Sequence, residues 1–502
     1  MELEGPVRLA DARFGTQVTE PFALQIEFTS DCQLRCVMCP LTTGSTASSA
    51  TPGAAVTDVV WADLLDQADR AGQVFVAGFG EPLLHPRCLD LLAELDERGV
   101  RTSFVTNGIA VTADVAERLA SFDHLVHVNV SIDSPDPDVY RRVRHGSLRR
   151  ALQGLGHLAA VMPLDRLSVS SVAMVDNLES LVAFPELLHG YGVEHFMVQG
   201  VADFNEFSRT HHVQDRDRFT QVIDRIRAEC ADRNISVDLA LPTRTELELH
   251  DPAAADATWF RRAGGSAEES RHCVLPWELP YVDANGAVFS CCHAASVGAP
   301  AIDRLGEKRL AEVWVDVPFQ RFRRSMVDGR TLPEVCRSCT SAPIGPHPFA
   351  RFWASVLDHS ADPSTGDELV TVRNDGAETW SAATQVRVGV IRPRDGVSAF
   401  ESEAWLSPNR PAEVTDAAVA PGGSTTIRIP ITDGVAGTQW FQLVVDDVCW
   451  LPGTEFAVVR QPVVGRSGWR QRRSSKKERR SSAQSSAHTR ARTGNSWFRR
   501  GS

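Results

Sequence analysis

Three cysteines lie close together near the N-terminus, in the stretch DCQLRCVMCP, residues 31–40. Cys32, Cys36 and Cys39 form a C-x3-C-x2-C pattern. Three thiolates on one short loop can hold three corners of a cubane iron–sulfur cluster, whereas a closed structural zinc or cluster site needs four protein ligands. The missing fourth ligand predicts a cluster with one open iron that binds a small molecule. A zinc loop with a distant fourth ligand, or reactive core cysteines, are the alternatives for this triplet.

A second group of cysteines occurs between residues 273 and 340. Its first half predicts a hairpin with the turn DANG, residues 283–286, and its second half ends in C-x2-C. Thiolates at both ends of a hairpin and in a later C-x2-C can converge on one tetrahedral site. These cysteines are Cys273, Cys291, Cys292, Cys336 and Cys339.

The elements that position the first cysteines alternate between β-rich and amphipathic helical runs. Six βα units in succession predict an α/β fold, an open, partial (β/α)6 TIM-like barrel with a parallel sheet and right-handed crossovers. Chemistry in such folds takes place at the carboxyl ends of the strands. The cysteine stretch directly follows the first strand, so it is expected on that face. The predicted strands are 24–29, 73–80, 101–108, 127–133, 166–175 and 194–201.

The cysteine stretch resembles the signature loop of the radical S-adenosylmethionine (radical SAM) superfamily. In that family the open iron is chelated by the amino and carboxylate groups of S-adenosylmethionine, and the reduced [4Fe-4S] cluster releases a 5′-deoxyadenosyl radical. Chelation holds the sulfonium beside the electron donor, so bond cleavage becomes a positioned intramolecular event. The resemblance implies that Cys32, Cys36 and Cys39 bind this cluster. It also implies a flavodoxin- or ferredoxin-type electron donor.

Four later strand ends fit the same resemblance. GFGEP, residues 78–82, is similar to the family's Gly-Gly-Glu-Pro segment, whose backbone hydrogen-bonds the methionine amino group. The third strand ends in TNG, the fourth continues into VSIDS near the ribose position, and residues 198–200 fall where the adenine packs. Each motif alone is weak, since Ser and Asp at such positions also cap helices and Met38 also suits space filling. The implied S-adenosylmethionine-binding residues are Gly78, Gly80, Glu81, Asn107, Ser131, Asp133 and Met38.

The second cysteine region resembles the auxiliary-cluster extension of SPASM and twitch proteins, a subgroup of radical SAM enzymes. The full SPASM form uses seven cysteines and two auxiliary clusters. Five cysteines occur here, so the resemblance implies the twitch form with one auxiliary [4Fe-4S] cluster. Structural zinc is the alternative, because it accepts the same four thiolates. The implied ligands are Cys273, Cys291, Cys336 and Cys339, with Cys292 as a possible substitute for its neighbour.

A fully ligated second cluster cannot bind S-adenosylmethionine, so it is expected to accept or pass electrons. The leading hypothesis is a radical-initiated oxidation or related C–H modification of a small polyol or sugar-like molecule. Only about thirty residues precede Cys32, too few for a peptide-recognition domain, and this favours the small molecule. The alternatives are a peptide-modifying radical SAM maturase and a non-catalytic metal-binding scaffold. No catalytic base can be chosen without geometry.

The chain is long enough for several domains. Alternating runs between Gly, Pro and Asp turns near the C-terminus predict an all-β, Ig-like sandwich. The three remaining cysteines, Cys88, Cys230 and Cys449, are expected in the core. The predicted divisions are an N-terminal extension 1–21, the partial barrel 22–214, a connecting segment 215–272, the auxiliary-cluster domain 273–345, the sandwich 366–463 and a basic tail 464–502.

The distribution of charge and hydropathy along the chain bears on its cellular location and its binding partners. Residues 466–502 contain twelve Lys or Arg and one acid, a charge of +11, which leaves −23 on the rest of a chain with net charge −12. An acidic body with a basic, Ser-rich tail argues against a nucleic-acid enzyme and predicts a disordered tail. Weak binding of the tail to RNA, anionic lipid or the acidic body is the alternative. No signal peptide or membrane-spanning stretch is found, so we expect a cytoplasmic protein.

Overall fold

The structure is a computed structural model. The residues it describes are 20–46, 51–202, 206–213, 215–240, 273–328, 332–337, 339, 347–392, 394–432, 434–446 and 448–461. The predicted basic tail and most of the predicted N-terminal extension fall outside these ranges, as do residues 241–272 of the connecting segment.

The first half of the chain forms a parallel sheet whose strands pair in chain order from β1 to β7. The predicted partial barrel is therefore confirmed, and a seventh parallel strand extends it beyond the six that were predicted. The strands are β1 (Leu24–Ile26), β2 (Gln73–Val76), β3 (Arg101–Thr106), β4 (Leu125–Ser131), β5 (Leu167–Ala173), β6 (His195–Gly200) and β7 (Ser236–Ala240).

Helices connect these strands and cover the sheet. The α-helices are α1 (Pro40–Thr43), α2 (Asp58–Ala71), α3 (Cys88–Glu97), α4 (Ala113–Ala120), α5 (Pro137–Arg144), α6 (Leu148–Val161), α7 (Phe184–Tyr191), α8 (Glu206–Thr210) and α9 (Arg216–Ala231). Helix α2 illustrates why they form. Thr57 caps its N-terminus by accepting a hydrogen bond from the Val60 backbone N–H, and Gly72 ends it in the left-handed conformation. Its apolar residues recur at helical spacing and are buried.

The second cysteine region continues the same sheet. Strand β8 (Tyr281–Val282) pairs parallel with β1 and antiparallel with β9 (Ala287–Phe289), and β9 pairs with β10 (Asp303–Arg304). The predicted hairpin is thus present, but it is joined edge to edge with the barrel and does not form a separate layer. The helices here are α10 (Leu275–Glu278), α11 (Cys292–Ser296), α12 (Leu310–Val315), α13 (Val317–Asp328) and α14 (Glu334–Arg337).

The C-terminal part, after α15 (Pro348–Arg351), consists of antiparallel sheets, as predicted. One sheet has the order β11-β12-β15, and the other has the order β14-β13-β16-β17 with β18 also paired to β16. The first strand begins at Ala354, before the expected boundary at 366, because its partly exposed sequence ASVLDHSA gives little alternation signal. The strands are β11 (Ala354–Ala361), β12 (Glu368–Asn374), β13 (Val386–Ile391), β14 (Ala412–Glu413), β15 (Ser424–Ile429), β16 (Gly437–Val445), β17 (Cys449–Trp450) and β18 (Phe456–Arg460).

The hydrophobic core runs through all three parts of the described chain. Cys88, Cys230 and Cys449 are buried within it, as predicted. None of the helices in the described ranges is both long and apolar enough to cross a membrane.

Candidate active site

A cavity of about 240 Å³ lies at the carboxyl edge of the parallel sheet. The cysteine loop after β1, the loop after β2 and the ends of β3 and β4 line it, which brings together motifs that are far apart in the sequence. Of the ten residues expected at this site, all but Asp133 contribute to the wall. These nine are Cys32, Cys36, Met38, Cys39, Gly78, Gly80, Glu81, Asn107 and Ser131.

The cysteine loop is held by backbone contacts on both sides. The Cys39 backbone N–H donates to the Cys36 carbonyl oxygen (3.1 Å), and the Val37 N–H donates to the Val143 carbonyl oxygen at the end of α5 (2.9 Å). Burial raises the pKa of Cys32 to about 11 and that of Cys36 to about 12. Free thiols at these positions therefore keep their protons, and metal binding must displace them.

Glu81 joins the loop after β2 to the end of β3. Its carboxylate is buried and accepts hydrogen bonds from the Thr106 hydroxyl and from the Asn107 backbone N–H, both at 2.7 Å. The Asn107 side chain then reaches the cysteine loop, where its Nδ2 donates to the Cys32 Sγ at 3.8 Å. The Glu81 carboxylate thus positions Asn107, and Asn107 positions the first cysteine.

The glycines of GFGEP are required because this loop passes directly against β1. A Cβ atom at Gly80 would lie 1.9 Å from the Thr29 carbonyl oxygen, and one at Gly78 would lie 2.5 Å from the Glu27 side chain. The Glu27 Oε1 accepts hydrogen bonds from the backbone N–H groups of Phe79 (2.8 Å) and Gly80 (3.2 Å). Glu27 was not identified from the sequence, where it reads as a polar residue inside a strand.

Asp133, expected from the sequence to bind the cofactor, forms a buried ion pair. Its carboxylate is fully buried, accepts a hydrogen bond from the Val172 backbone N–H (2.9 Å) and binds the Arg144 Nε (2.6 Å). Asp133 is not among the residues that line the cavity, but Arg144 is. Burial lowers the pKa of the Arg144 guanidinium, yet the adjacent Asp133 carboxylate more than compensates and raises it overall. Arg144 is therefore a fixed positive charge beside the three thiols, and no local sequence motif indicates this role.

Three further features expected at this site lie differently with respect to the cavity. Ser131 faces the cavity with its hydroxyl 3.4 Å from that of Ser170. Met38 also lines the cavity, although it packs in a small apolar cluster with Val143 as well. Residues 198–200, expected near the adenine, are not among the lining residues of this cavity.

The second group of cysteines gathers at the hairpin end. Cys291 is the N-cap of α11, and that helix contacts α14, which carries Cys336. Electrostatic interactions couple the Cys273 thiol to those of Cys291 and Cys339, so these groups lie near one another. Burial raises the pKa of both Cys273 and Cys292 to about 12.

The three cysteines of the first loop form one donor set. Within the described ranges, no group of three or more His, Cys, Asp or Glu side chains is already placed to hold a metal ion. Cys32, Cys36 and Cys39 nevertheless line one cavity together. Thiolates are the ligands that hold iron–sulfur clusters, so the chemistry of this donor set fits such a cluster.

The two cysteine regions are in contact through β1 and β8. The Phe79 ring from the loop after β2 lies 5.9 Å from the Tyr281 ring, and both belong to an apolar cluster that includes Cys291. The Glu27 carboxylate, which binds the backbone at Phe79, also accepts a hydrogen bond from the Ala284 N–H in the hairpin turn (3.3 Å). One buried side chain therefore touches the loops of both candidate sites.

Comparisons with known proteins agree with this architecture. The model of the radical SAM superfamily matches residues 26–189, and the model of an iron–sulfur cluster-binding domain, SPASM, matches residues 273–340. The chain therefore contains a radical SAM domain followed by an SPASM domain. It is a radical SAM enzyme that uses S-adenosylmethionine, a radical SAM [4Fe-4S] cluster and auxiliary iron–sulfur chemistry.

Two curated relatives and one solved structure are similar to this chain. A PqqA peptide cyclase of Ruegeria pomeroyi is 26% identical over 362 residues, which are 70% of this chain and 87% of the relative. The mycofactocin maturase MftC of Mycobacterium tuberculosis is 32% identical over 193 residues, 38% of this chain and 47% of the relative. The crystal structure of Streptococcus suis SuiB bound to precursor peptide SuiA aligns with a TM-score of 0.49 and 19% identity, covering 65% of this chain and 71% of that one.

Proposed function

We propose that this protein is a peptide-modifying radical SAM enzyme. The observation that carries the proposal is the similarity to a PqqA peptide cyclase, which spans 87% of that relative. The sequence analysis favoured a small polyol or sugar-like substrate and kept peptide modification as an alternative. The relatives support the alternative better than the leading hypothesis, because both are named for peptide cyclisation or for maturation.

The first cysteine loop has the central role in this proposal. Cys32, Cys36 and Cys39 would hold the radical SAM [4Fe-4S] cluster beside S-adenosylmethionine in the cavity that they line. Together the two groups would supply radical abstraction of hydrogen from the substrate. Arg144, fixed by Asp133, gives the cavity wall a positive charge that stabilises both the thiolates and the ligand carboxylate.

Other residues of the cavity wall shape the space around these groups. Gly78 and Gly80 let the loop after β2 lie flat against β1, so the cavity remains open to a ligand backbone. Asn107 donates a hydrogen bond to the Cys32 sulfur, which stabilises the thiolate form over the thiol. Ser131 supplies a hydroxyl on the remaining wall.

The second cysteine region holds the auxiliary cluster in this proposal, with Cys273, Cys291, Cys336 and Cys339 as ligands. When bound, the cluster supplies a one-electron acceptor or donor close to the first site. Phe79 and Tyr281 lie between the two regions, with their ring centroids 5.9 Å apart. A flavodoxin- or ferredoxin-type protein is the proposed external donor.

The test compares two classes of substrate under one set of conditions. Anaerobically reconstituted protein is incubated with S-adenosylmethionine, dithionite and either deuterated peptides encoded beside its gene or deuterated polyols and aminocyclitols. We expect deuterium in 5′-deoxyadenosine and a mass change in a peptide. Deuterium transfer from a polyol alone, with every peptide unchanged, would contradict peptide modification and restore the first hypothesis.

A further inference from the structure

A larger cavity of about 820 Å³ lies at the opposite edge of the parallel sheet, where β2, β3 and β4 begin. Gln73 and Arg101, the first residues of β2 and β3, line it. Trp277 of α10 and Trp440 of β16 form parts of its walls. This volume is within the range of small-molecule pockets, about 300 to 1,000 Å³. The cysteine loop follows β1 at the other edge, so the two cavities are separate.

The charges around this cavity are unequal. Glu20 pairs with Arg392 (3.3 Å), and Glu278 pairs with Arg394 (3.0 Å). Arg101 forms no ion pair with any described residue, so its charge is uncompensated. Arg70, which pairs with Glu20 (3.6 Å), and Glu455 also line the cavity. The lining therefore contains four arginines and three glutamates, a formal excess of one positive charge.

Unpaired hydrogen-bond donors are also found in the lining residues. Arg101 Nε, Trp277 Nε1 and Arg394 Nε are buried without a hydrogen-bond partner among the described residues, and Trp277 is only 2% exposed. Each of these atoms can donate but none can accept. Buried donors are normally paired, so a group rich in acceptor oxygens is what this set lacks.

Two of the arginines lie over aromatic rings. The Arg392 guanidinium lies 4.1 Å from the Trp440 ring centroid, and the Arg394 guanidinium lies 3.5 Å from that of Phe22. Stacked indole and guanidinium planes form a surface on which another planar ring can lie. The same wall therefore offers an apolar face beside its unpaired donors.

We propose that this cavity binds a small anionic molecule that carries a planar ring. The anionic group, a carboxylate or a phosphate, faces Arg101 and Trp277, and the ring lies against Trp440. The site is formed jointly by the barrel, the auxiliary region and the sandwich, so it assigns a binding role to the C-terminal sheets. It does not depend on which substrate the enzyme modifies.

Calorimetric titration of the full-length reconstituted protein tests the proposal, with S-adenosylmethionine present in excess to fill the first cavity. The probes are two matched pairs, indole-3-acetate with tryptamine and phenyl phosphate with phenol. We expect the anion of at least one pair to bind at least tenfold more tightly than its partner. The pair with the larger difference identifies carboxylate or phosphate as the preferred group.

Variants locate the binding. Arg101→Gln and Trp440→Ala should each weaken binding of the preferred anion at least tenfold. Arg118→Gln is the control and should leave binding unchanged, because Arg118 is an exposed residue of α4 that lies over the Phe122 ring. Iron content and the thermal unfolding midpoint show whether each variant is folded. The proposal is overturned if neither anion binds saturably, if the uncharged or cationic partners bind equally well, or if the folded Arg101→Gln protein binds unchanged.

Discussion

The two cysteine regions differ in how their thiols are brought together. In the first, Cys32, Cys36 and Cys39 lie on one loop after β1, so a few consecutive residues define the site. In the second, Cys273 and Cys339 are far apart in the chain, and strand pairing and helix contacts must bring them close. A site on one loop can be identified from spacing, whereas a site assembled from distant pieces depends on the whole fold. Variants in each region test this difference.

The largest effect is expected at the first loop. Cys36→Ala removes one of only three proposed ligands, so 5′-deoxyadenosine production should fall to the level without enzyme. Iron should drop from about eight to about four per chain, since the second cluster remains. Chromatographic assay and iron analysis measure both quantities. Cys88→Ala is the control, because that thiol is in the core and should leave both unchanged.

The next largest effect distinguishes the functions of the two cysteine regions. Cys273→Ala should also lower iron to about four per chain, but S-adenosylmethionine cleavage should persist while modified product disappears. The reason is that only the first cluster is proposed to have an open iron. Cleavage and product are measured in the same reaction. Equal loss of cleavage in Cys273→Ala and Cys36→Ala would show that the regions are not functionally distinct.

A smaller effect is expected from the loop that links them. Gly80→Ala places a Cβ against the Thr29 carbonyl oxygen, so the loop must shift and the cavity change shape. We expect affinity for S-adenosylmethionine to fall at least tenfold, about 1.4 kcal/mol. Equilibrium dialysis with labelled ligand measures it. Gly190→Ala on α7 has open space around its Cβ and serves as the matched control; similar affinities for the two variants would contradict the required close approach.

Arg144→Lys should have a comparable or smaller effect. Lysine retains the positive charge but cannot reproduce the planar contact with Asp133, so the charge is less well fixed. We expect the KM for S-adenosylmethionine to rise about tenfold, with the iron content maintained. Steady-state cleavage assays test this. An unchanged KM would mean that Arg144 does not act on the bound ligand.

The smallest effect is expected at Cys230, which is predicted to be a core residue and not a metal ligand. Cys230 is fully buried among apolar residues of α9 and its neighbours. Cys230→Ala should destabilise the fold by about 1 kcal/mol and leave iron and activity intact. Denaturant unfolding and iron analysis are the measurements. Loss of iron in this variant would show that Cys230 is a ligand and that it was wrongly placed in the core.

Features formed by nearby residues could be predicted from the sequence, whereas contacts between distant segments could not. Periodicity over long runs predicted six of the parallel strands, and successive strand ends predicted most of the cavity wall. The pairing of β8 with β1 was not predicted, because a two-residue strand has no periodicity. Nor could the sequence reveal that Asp133 turns toward Arg144, since the position of α5 decides which partner a strand-end carboxylate meets. Glu27 was missed for the same reason, because its partners are backbone groups of two distant loops.

The central claim is that the first cluster keeps one iron free for S-adenosylmethionine. Its most direct test is the electron paramagnetic resonance spectrum of the reduced Cys273→Ala/Cys339→Ala variant, which should retain only that cluster, recorded with and without S-adenosylmethionine. If one iron has no protein ligand, we expect the g values of the cluster to shift when S-adenosylmethionine is added. Identical spectra at saturating S-adenosylmethionine would contradict the claim.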